Sequence, residues 1–420
     1  MVASSTSGSN RQKEIYTDGF AGKLPIVPID PQKLEEQAAA KMTMQARGYI
    51  LGGAGQESTI RSNRTAFEKY KIVPRMLRNV SERDTSIQLF GQKYPTPFLL
   101  SPIGVLEMVH PEADLAVGKA AASLNIPYIF SNQSSKPMEE VASGMGNSTR
   151  WFQLYWSKSQ ELVASFVKRA EACGCSAIVV TLDTNMLGWR TRDLDLAYLP
   201  FMEGRGIAQY TSDPVFQKLL EESEPAAKRE LTFQLLRGLV AMVNNYPGNG
   251  FFTKLKSGKP IKAIQKFVNI YSNPALTWND LKFLRQHTKL AILLKGILHP
   301  DDACLAVDHG MDGIIISNHG GRQVDGSIST FEALPKIAEA VASRIPILLD
   351  SGVRGGADVF KALALGASAV CIGRPYVYGL TLAGQAGVSE ILRNFMSDFD
   401  ITMGLAGCKN ISEITKDTLA

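Results

Sequence analysis

The sequence lacks long hydrophobic runs and a strong excess of charge of either sign. No apolar run approaches the ~18 residues that a membrane-spanning helix needs, and the first twelve residues lack the charged-then-apolar pattern of a signal peptide. The 45 lysines and arginines against 40 aspartates and glutamates leave a net charge of +5, which argues against nucleic acid as the main partner. We therefore expect a cytoplasmic protein that binds neither membranes nor nucleic acid.

Cysteine and histidine are also scarce, with five residues of each type. The cysteines include one C-x-C pair, Cys173 and Cys175, with no second half to complete a zinc site, and the histidines show neither i, i+4 pairing nor an H-E-x-x-H motif. We expect buried thiols and no metal. The composition, 45% hydrophobic and 20% charged with 36 glycines, is that of a soluble α/β protein with a large core.

Eight short apolar runs, rich in branched aliphatic and aromatic residues, follow one another from residue 97. They cover residues 97–104, 126–132, 150–156, 177–183, 290–296, 313–320, 345–352 and 369–375. Amphipathic stretches with helical spacing lie between them, for example 159–174 and 330–344. Continuous apolar strands that alternate with helices predict a closed parallel (β/α)8 TIM barrel, whose active site lies at the C-terminal ends of the strands.

Two segments lie outside this repeat. A helix-like stretch over 31–50 precedes the first strand and predicts a helical N-terminal extension that packs on the barrel. The connection after strand 4 is far longer than the usual few residues, and long connections at this face are usually lids. The predicted division is an extension over 1–96, a barrel over 97–395 with a lid insertion at about 190–289, and a C-terminal tail over 396–420.

The insertion contains two helix-compatible runs, 214–223 and 226–245, and a lysine-rich stretch over 253–267. A solvated helix and a membrane-surface helix would both explain the lysines. We favour the solvated helix, because the apolar face of the stretch is short.

The ends of the predicted strands carry polar groups that core packing does not require. They are Ser101 to Gly104, Ser131, Gln153, Tyr155, Thr181, Asp183, Lys295, Ser317, His319, Asp350, Gly352, Gly373 and Arg374. Because the C-terminal ends of parallel barrel strands converge, these groups predict an active site.

The last two strands add a pattern that suits phosphate. Glycines and Arg354 follow the seventh strand, and Gly373 and Arg374 end the eighth, so backbone N–H groups and guanidinium groups can meet a phosphate there. Tight turns with surface arginines, which bind no phosphate, are the alternative explanation of this sequence pattern. Neither motif is a Rossmann or Walker loop, so the ligand differs from the nucleotides that those loops bind.

The run SNHGGRQVDG, residues 317–326, offers a base and a carboxylate clamp in one loop. His319 is the candidate base and Arg322 the candidate clamp, which suits proton removal from a small organic acid. An ordinary loop histidine is the alternative. Asp183, at another strand end, is placed to stabilise His319 once it is protonated.

Three motifs in this order resemble the FMN-dependent L-2-hydroxy acid oxidase and dehydrogenase family, from about residue 25 to about residue 395. They are S-N-H-G-x-R-Q-x-D at 317–325, DSGVRGGADVFKALALGA at 350–367 and IGRP at 372–375. The resemblance implies FMN as the cofactor, His319 as the active-site base and Asp183 as its partner. It further implies that Tyr155 lies beside the substrate hydroxyl and that Lys295 stabilises the reduced flavin.

The resemblance also assigns binding roles. Tyr49, Arg190 and Arg322 would bind the substrate carboxylate, with Tyr155 beside them. Spacing alone leaves open whether Arg190 or Arg192 points inward, and it leaves both tyrosines open as core residues. The implied FMN contacts are Pro102, Ile103, Gly104, Ser131, Gln153, Thr181, Lys295, Ser317, Asp350, Gly352, Arg354, Gly373 and Arg374.

Within the family, the long insertion and Gly104 resemble lactate 2-monooxygenase most closely. The resemblance therefore implies oxidation of a small L-2-hydroxy acid, foremost L-lactate, with O2 and with oxidative decarboxylation, in a homotetramer or octamer. The alternatives are a simple oxidase that releases the 2-oxo acid and H2O2, and a dehydrogenase with another electron acceptor. An FMN-binding barrel isomerase has no reason to carry the His319 and Arg322 pair, and the intact set of polar strand ends argues against a flavin-binding module without turnover.

Overall fold

The computed structural model describes residues 8–222 and 233–420. The described residues form ten strands: β1 (Ile87–Leu89), β2 (Gln92–Tyr94), β3 (Phe98–Leu100), β4 (Tyr128–Phe130), β5 (Arg150–Leu154), β6 (Ala177–Thr181), β7 (Ala291–Ile297), β8 (Gly313–Ile316), β9 (Ile347–Leu349) and β10 (Ala369–Ile372).

The α-helices precede, connect and follow these strands. They are α1 (Gly8–Phe20), α2 (Pro31–Lys41), α3 (Met44–Leu51), α4 (Ser58–Thr65), α5 (Ala113–Ser123), α6 (Met138–Met145), α7 (Gln160–Ala172), α8 (Thr191–Asp195), α9 (Ala208–Thr211), α10 (Pro214–Glu221), α11 (Phe233–Asn245), α12 (Phe251–Ser257), α13 (Lys259–Ile270), α14 (Leu281–His287), α15 (Pro300–Asp308), α16 (Thr330–Val341), α17 (Gly356–Ala364) and α18 (Arg374–Leu405).

Strands β3 to β10 close into one parallel barrel. They follow each other around it in chain order, and β10 pairs with β3 through Val370 opposite Phe98. Each of the eight predicted apolar runs coincides with one of these strands, with β7 extending one residue beyond its run, so the prediction of a (β/α)8 barrel is confirmed.

Side chains alternate between the inside and the outside of the barrel along each strand. In β3, Leu99 packs in the inner cluster while Phe98 and Leu100 pack against the surrounding helices. Each strand places at least one buried side chain inside in this way: Leu99, Ile129, Trp151, Val179, Leu293, Ile315, Leu348 and Cys371, with Ala177 and Ala369 as second ones in β6 and β10. The interior is therefore a packed core, and the cleft lies above it.

The β1–β2 hairpin covers the N-terminal end of the barrel. Ile87, Leu89 and Tyr94 are buried in the inner cluster, and the ring of Phe90 lies 5.6 Å from that of Trp151. This end of the barrel is thereby closed by apolar side chains.

The N-terminal extension differs in detail from its prediction. The single helical stretch predicted over 31–50 is two helices, because Met42 is extended and Thr43 caps α3 through a hydrogen bond from the Ala46 amide. Helices α1 and α2 pack on α18. Helix α18 runs across residue 396, where the sequence predicts the start of a tail.

The insertion after β6 is built largely of short helices. The run predicted over 214–223 forms α10, which Asp213 caps. The run predicted over 226–245 lies partly outside the described residues, and its described part is α11. The lysine-rich stretch is two helices broken at Gly258, of which α13 buries Phe267 and Ile264.

The end of the insertion rejoins the barrel earlier than residue 289, because α14 packs on α7 in the outer ring of helices. In the part of the chain that the structure describes, no helix is long and apolar enough to span a membrane.

Candidate active site

The register of the barrel brings the predicted polar residues together. A residue two positions beyond an inward-facing core residue again faces the barrel axis, now at the C-terminal end. Ser101 follows Leu99 in this way, and Gln153 follows Trp151. The same relation holds for Ser131, Thr181, Lys295, Ser317, Asp350 and Gly373.

A cleft of about 1010 Å³ opens at this end of the barrel. The predicted residues that line it are Tyr49, Pro102, Ile103, Gly104, Tyr155, Arg190, Lys295, His319, Arg322, Asp350, Gly352, Arg354, Gly373 and Arg374. Five further predicted residues do not line it and are held in hydrogen bonds instead: Ser131, Gln153, Thr181, Asp183 and Ser317.

His319 and Asp183 form a hydrogen-bonded pair. Nδ1 of His319 lies 2.7 Å from Oδ1 of Asp183 and 3.2 Å from Oγ1 of Thr184, which leaves Nε2 for a ligand. Burial lowers the pKa of His319 below its ordinary value of 6.5, and the charges of Lys295 and Arg190 act in the same direction against Asp183. The histidine is therefore neutral near pH 7, as a base must be.

Lys295 is a buried cation at the floor of the cleft. Its Nζ donates to Oγ of Ser317 at 2.7 Å and lies 3.1 Å from Oδ2 of Asp350 and 3.8 Å from Oδ2 of Asp183. Burial acts to lower the pKa of Lys295, but the two carboxylates outweigh it and raise the pKa above its ordinary value. At Asp183, burial acts to raise the pKa. The positive charge of Lys295 and the hydrogen bond from His319 outweigh burial and hold the pKa of Asp183 well below its ordinary value.

Arg190 and Arg322 supply further positive charge to the wall of the cleft. The Arg322 guanidinium lies 4.7 Å from the Tyr49 ring centre and donates to the carbonyls of Tyr49 and Gly52. Burial, and then the charge of Arg190, lowers the pKa of Arg322 to about 9. Within the described ranges no carboxylate lies within 4 Å of either guanidinium, so this wall suits an anionic ligand.

The choice between Arg190 and Arg192 is settled by their surroundings. Arg190 is buried, lines the cleft and donates to Oε1 of Gln323 at 3.0 Å. The Arg192 side chain is 43% exposed and pairs with Glu57 at 2.6 Å.

Tyr155 lines the cleft beside His319 and Lys295. Burial and the negative charge of Asp183 raise the pKa of Tyr155 to about 12, so its hydroxyl stays protonated and can donate a hydrogen bond. The backbone N–H of Tyr155 donates to Oδ1 of Asn132 at 3.0 Å, which fixes the end of β5.

A buried polar chain joins three neighbouring strand ends. Oγ of Ser131 donates to Oε1 of Gln153 at 3.1 Å, and Nε2 of Gln153 donates to Oγ1 of Thr181 at 3.0 Å. Oγ of Ser101, nearby on the cleft wall, is buried and has no hydrogen-bond partner. A buried hydroxyl without a partner is costly, so Ser101 suits a polar ligand atom.

The loops after β9 and β10 form a cationic cradle. Ser351 and Gly352 have left-handed backbone, with φ of 72° and 95°. A side chain at Gly352 would place its Cβ 2.3 Å from the Asn63 carbonyl oxygen, so only glycine fits there. Arg354 lies beside this turn, and Arg374 begins the long helix α18, whose N-terminus favours an anion.

Several cleft residues were missed by the sequence analysis. Thr184 follows Asp183 directly, so its position after the strand end could have been noticed. Ser351 lies inside a motif that the analysis singled out. Phe201 and Tyr271 come from the insertion, where no periodic pattern marks which side chains turn towards the barrel.

Two polar residues of the 317–326 run have structural roles. Gln323 donates to the carbonyls of Asp183 and Met186, which fixes the start of the insertion against the loop of His319. Asp325 accepts hydrogen bonds from the amides of Gln56 and Ser58 at the start of α4.

Comparison with known proteins gives a consistent result. Residues 38–420 match the family model described as FMN-dependent dehydrogenase. An L-lactate oxidase of Lysinibacillus sphaericus (strain C3-41) is 45% identical over 93% of this chain and 92% of its own length. The human 2-hydroxyacid oxidase 1 is 37% identical over 91% of this chain and 94% of its own length. A crystal structure of mandelate oxidase with (S)-4-hydroxymandelic acid has a TM-score of 0.77 at 33% identity, covering 94% of this chain and 98% of that one.

Proposed function

We propose that this chain, which belongs to the FMN-dependent dehydrogenase family and oxidises 2-hydroxy acids with FMN, acts on a small L-2-hydroxy acid, foremost L-lactate, with O2 as the final electron acceptor. The observation that carries the proposal is the placement of one base and two cations without a close carboxylate in the same cleft. His319 keeps Nε2 for a ligand, and Arg190 and Arg322 share the cleft with it. Among the described residues neither guanidinium has a carboxylate within 4 Å, and Asp193 acts on both only at longer range.

The residues of the cleft fit FMN. The Ser351–Gly352 turn, Arg354 and Arg374 would hold its phosphate, because they combine left-handed backbone, two guanidinium groups and a helix N-terminus. Ser101 and Lys295 offer a buried hydroxyl and a buried cation for the polar edge of the ring. When bound, FMN supplies a two-electron acceptor that oxygen can reoxidise.

The side chains divide the work on the substrate. Arg190, Arg322 and Tyr49 bind the carboxylate and so fix the acid in one orientation. The Tyr155 hydroxyl donates to the substrate hydroxyl. Oxidation of the hydroxyl carbon to a carbonyl releases two electrons and two protons. Both electrons leave with one hydrogen for the acceptor, Nε2 of His319 takes up the remaining proton, and Asp183 stabilises the resulting imidazolium. Lys295 stays positively charged and offsets negative charge that develops on the acceptor.

For the fate of the product, we favour retention of the 2-oxo acid in the cleft long enough for peroxide to decarboxylate it. Phe201 and Tyr271 of the insertion line the cleft, and the Gly206 amide donates to Oε1 of Glu107 at 2.9 Å, which ties the insertion to the loop that follows Gly104. A covered cleft slows release and so favours chemistry between the two products.

A second candidate is a simple oxidase that releases the 2-oxo acid and H2O2. The similarity to proteins named L-lactate oxidase favours it.

The experiment is aerobic turnover of purified yellow protein with L-lactate, measuring acetate, pyruvate and peroxide together. Acetate with little peroxide supports retention and decarboxylation. Equal pyruvate and peroxide contradict retention and support the simple oxidase. If L-lactate and other 2-hydroxy acids of up to five carbons fail to reduce the flavin anaerobically, the proposed substrate class is wrong.

A further inference from the structure

Asn63 of α4 and Asn318 of the loop after β8 exchange two side-chain hydrogen bonds. Nδ2 of Asn63 donates to Oδ1 of Asn318 at 2.8 Å, and Nδ2 of Asn318 donates to Oδ1 of Asn63 at 2.7 Å. Both side chains are buried. Because two amides that satisfy each other in a buried place cannot turn freely, the pair fixes the position of Asn318 against α4.

Asn318 in turn holds the backbone around His319. Its Oδ1 also accepts from the Gly321 amide at 3.1 Å, and its Nδ2 also donates to the Ile328 carbonyl at 3.2 Å. His319 itself has φ of 56°, a left-handed value that is strained for a residue with a side chain. Such a conformation persists only where its surroundings hold it, and Asn318 is the residue that closes the turn.

The turn sets both reactive side chains of the loop. His319 begins it and Arg322 follows it directly, so a rotation of the turn would move the imidazole and the guanidinium together. Both side chains line the cleft, where His319 lies against Asp183 and Arg322 lies against Tyr49. Small errors in this turn would therefore misalign the base with the bound carboxylate.

The same end of α4 also contacts the cradle at residues 351–354. The Asn63 carbonyl packs against Gly352, and the neighbouring Arg64 donates to the Gly352 carbonyl and, at 2.8 Å, to Oδ2 of Asp358. Helix α4 therefore bridges the loop that carries the base and the loop that fits the phosphate.

We propose that Asn63 is a positioning residue for 2-hydroxy acid oxidation. It holds Asn318 and, through it, the His319–Gly321 turn, so that the base and the carboxylate clamp keep one mutual orientation. The inference rests on the proposed role of His319 as the base. It assigns a catalytic effect to a side chain of the N-terminal extension that does not line the cleft.

The test compares Asn63→Ala, Asn318→Ala and the double variant with the unaltered holoenzyme and with Thr65→Ala, an exposed change on the same helix. Each protein is measured for FMN content, Tm, KM for L-lactate and the rate of anaerobic flavin reduction per bound flavin. We expect Asn63→Ala to slow flavin reduction about 10- to 100-fold, because a displaced base reacts poorly, with FMN content within about threefold. KM should rise less than the rate falls, because the variant shifts the Arg322 guanidinium but does not remove it. The deuterium isotope effect with 2-deuterated L-lactate should rise.

The double variant should be no slower than the slower single variant, because both changes break one contact. A purely structural role would lower Tm and FMN content but leave the reduction rate per bound flavin unchanged, and that result would overturn the inference. If Asn63→Ala does not accumulate as holoenzyme, Asn63→Asp, which keeps the volume and removes the donor, takes its place. An unaltered protein that no 2-hydroxy acid reduces would instead overturn the proposed function, and this inference with it.

Discussion

Five cationic side chains of the described residues line the cleft, and their acidic partners are distributed unequally. Lys295 has Asp350 and Asp183 within 4 Å, whereas Arg190 and Arg322 have no carboxylate that close among the described residues. A buried cation without an anion is costly, so a carboxylate that enters the cleft gains most at the two arginines. The charge distribution therefore separates the anion-binding wall from the floor at Lys295.

Arg322→Met should raise KM for the hydroxy acid about 100-fold and change kcat less, because it removes a buried charge that binds the carboxylate. Arg192→Met is the matched control, since Arg192 lies two residues from Arg190, points outward and pairs with Glu57. Steady-state kinetics with L-lactate measure both variants. An unchanged KM in Arg322→Met would contradict its role as the clamp.

His319→Ala should lower the rate of anaerobic flavin reduction about 100- to 10,000-fold while the protein keeps its yellow FMN, because the variant removes the base and none of the phosphate-binding groups. Stopped-flow bleaching of the flavin absorbance gives the rate. His287→Ala, a change on α14 away from the cleft lining, should bleach like the unaltered protein. Rapid bleaching in His319→Ala would remove His319 from the mechanism.

The pH dependence of reduction follows from the lowered pKa of His319. Because the neutral form is the active one, kcat/KM should stay constant down to about pH 6.5 and fall only at lower pH. Asp183→Asn removes the charge that raises the pKa of His319, so the decrease in kcat/KM at acid pH should move to still lower pH. The plateau value of kcat/KM should also fall, because the imidazolium loses its partner. An acid limb that moves upward in Asp183→Asn would contradict this assignment.

Much of the site follows from the sequence at the residue scale because side chains alternate along a strand. Once the inward-facing core residue is known, the residue two positions on faces the barrel axis at the C-terminal end, where it lines the cleft, as Lys295 does, or supports it through hydrogen bonds, as Ser317 does. Arg190 and Arg192 lie beyond the strand, where no period applies, so only their contacts distinguish them. Tyr271 enters the cleft from a helix end whose direction depends on tertiary packing.

At the scale of single elements, α4 is capped from a distance. Glu57 precedes it with a left-handed backbone and no capping bond of its own side chain. Asp325, 267 residues beyond Ser58, accepts instead from the amides of Gln56, Ser58 and Thr59. The helix that carries Asn63 is therefore held at its start by the loop of His319 and contacts that loop again near its end.

Asp325→Ala should destabilise the protein by about 1–2 kcal/mol, as the loss of a helix cap does. Outweighing burial, the Ser58 hydroxyl and the amides lower the pKa of Asp325 below its ordinary value of 3.8. Its contribution is thus complete above that value and is lost as the pH falls through the lowered pKa. Thermal unfolding should show a Tm difference from Asp325→Ala at pH 7 that shrinks towards pH 3. Asp417→Ala, near the C-terminus, should show no such difference.

Helix boundaries were harder to predict than helices. The stretch 31–50 has helical composition throughout, and only the Thr43 side chain, by capping α3, divides it. A threonine inside a helical pattern serves equally as a helical residue, so the sequence does not distinguish the two cases. In the same way, α14 follows the insertion without a break in pattern, and its contact with α7 alone places it in the barrel.

At the scale of the whole molecule, the cleft and the β1–β2 hairpin occupy opposite ends of the barrel. Leu89→Ala should lower the free energy of unfolding by about 2–5 kcal/mol, because it leaves a cavity in the inner cluster. This decrease should be the same with and without FMN. Thermal unfolding of the apoprotein and of the holoprotein measures this. The rise in Tm on adding FMN should match that of the unaltered protein, whereas a smaller rise would couple the two ends.

The barrel was predictable because eight apolar runs alternate with eight helical stretches, and few folds satisfy that pattern. The packing of the insertion was not predictable, because its helices bury their apolar faces on one another around Phe267. The ring of Phe267 lies 5.2 Å from that of Phe201 and 5.1 Å from that of Tyr271. Contacts of this kind within a long connection produce no periodic sequence pattern that shows how the connection packs against the strands. Its length could be read from the sequence, but its contribution to the cleft could not.

Within the described residues, the hairpin and the packed interior close the N-terminal end of the barrel to charged molecules. An anionic hydroxy acid cannot cross an interior of packed aliphatic and aromatic side chains, so it enters where the 2-oxo acid leaves. Substrate and product therefore use the same opening. On the roles proposed for Arg190 and Arg322, a bound 2-oxo acid blocks the site that the next hydroxy acid needs. When the product is abundant, its release from the cleft should therefore limit the turnover rate as much as the proton transfer proposed for His319 does.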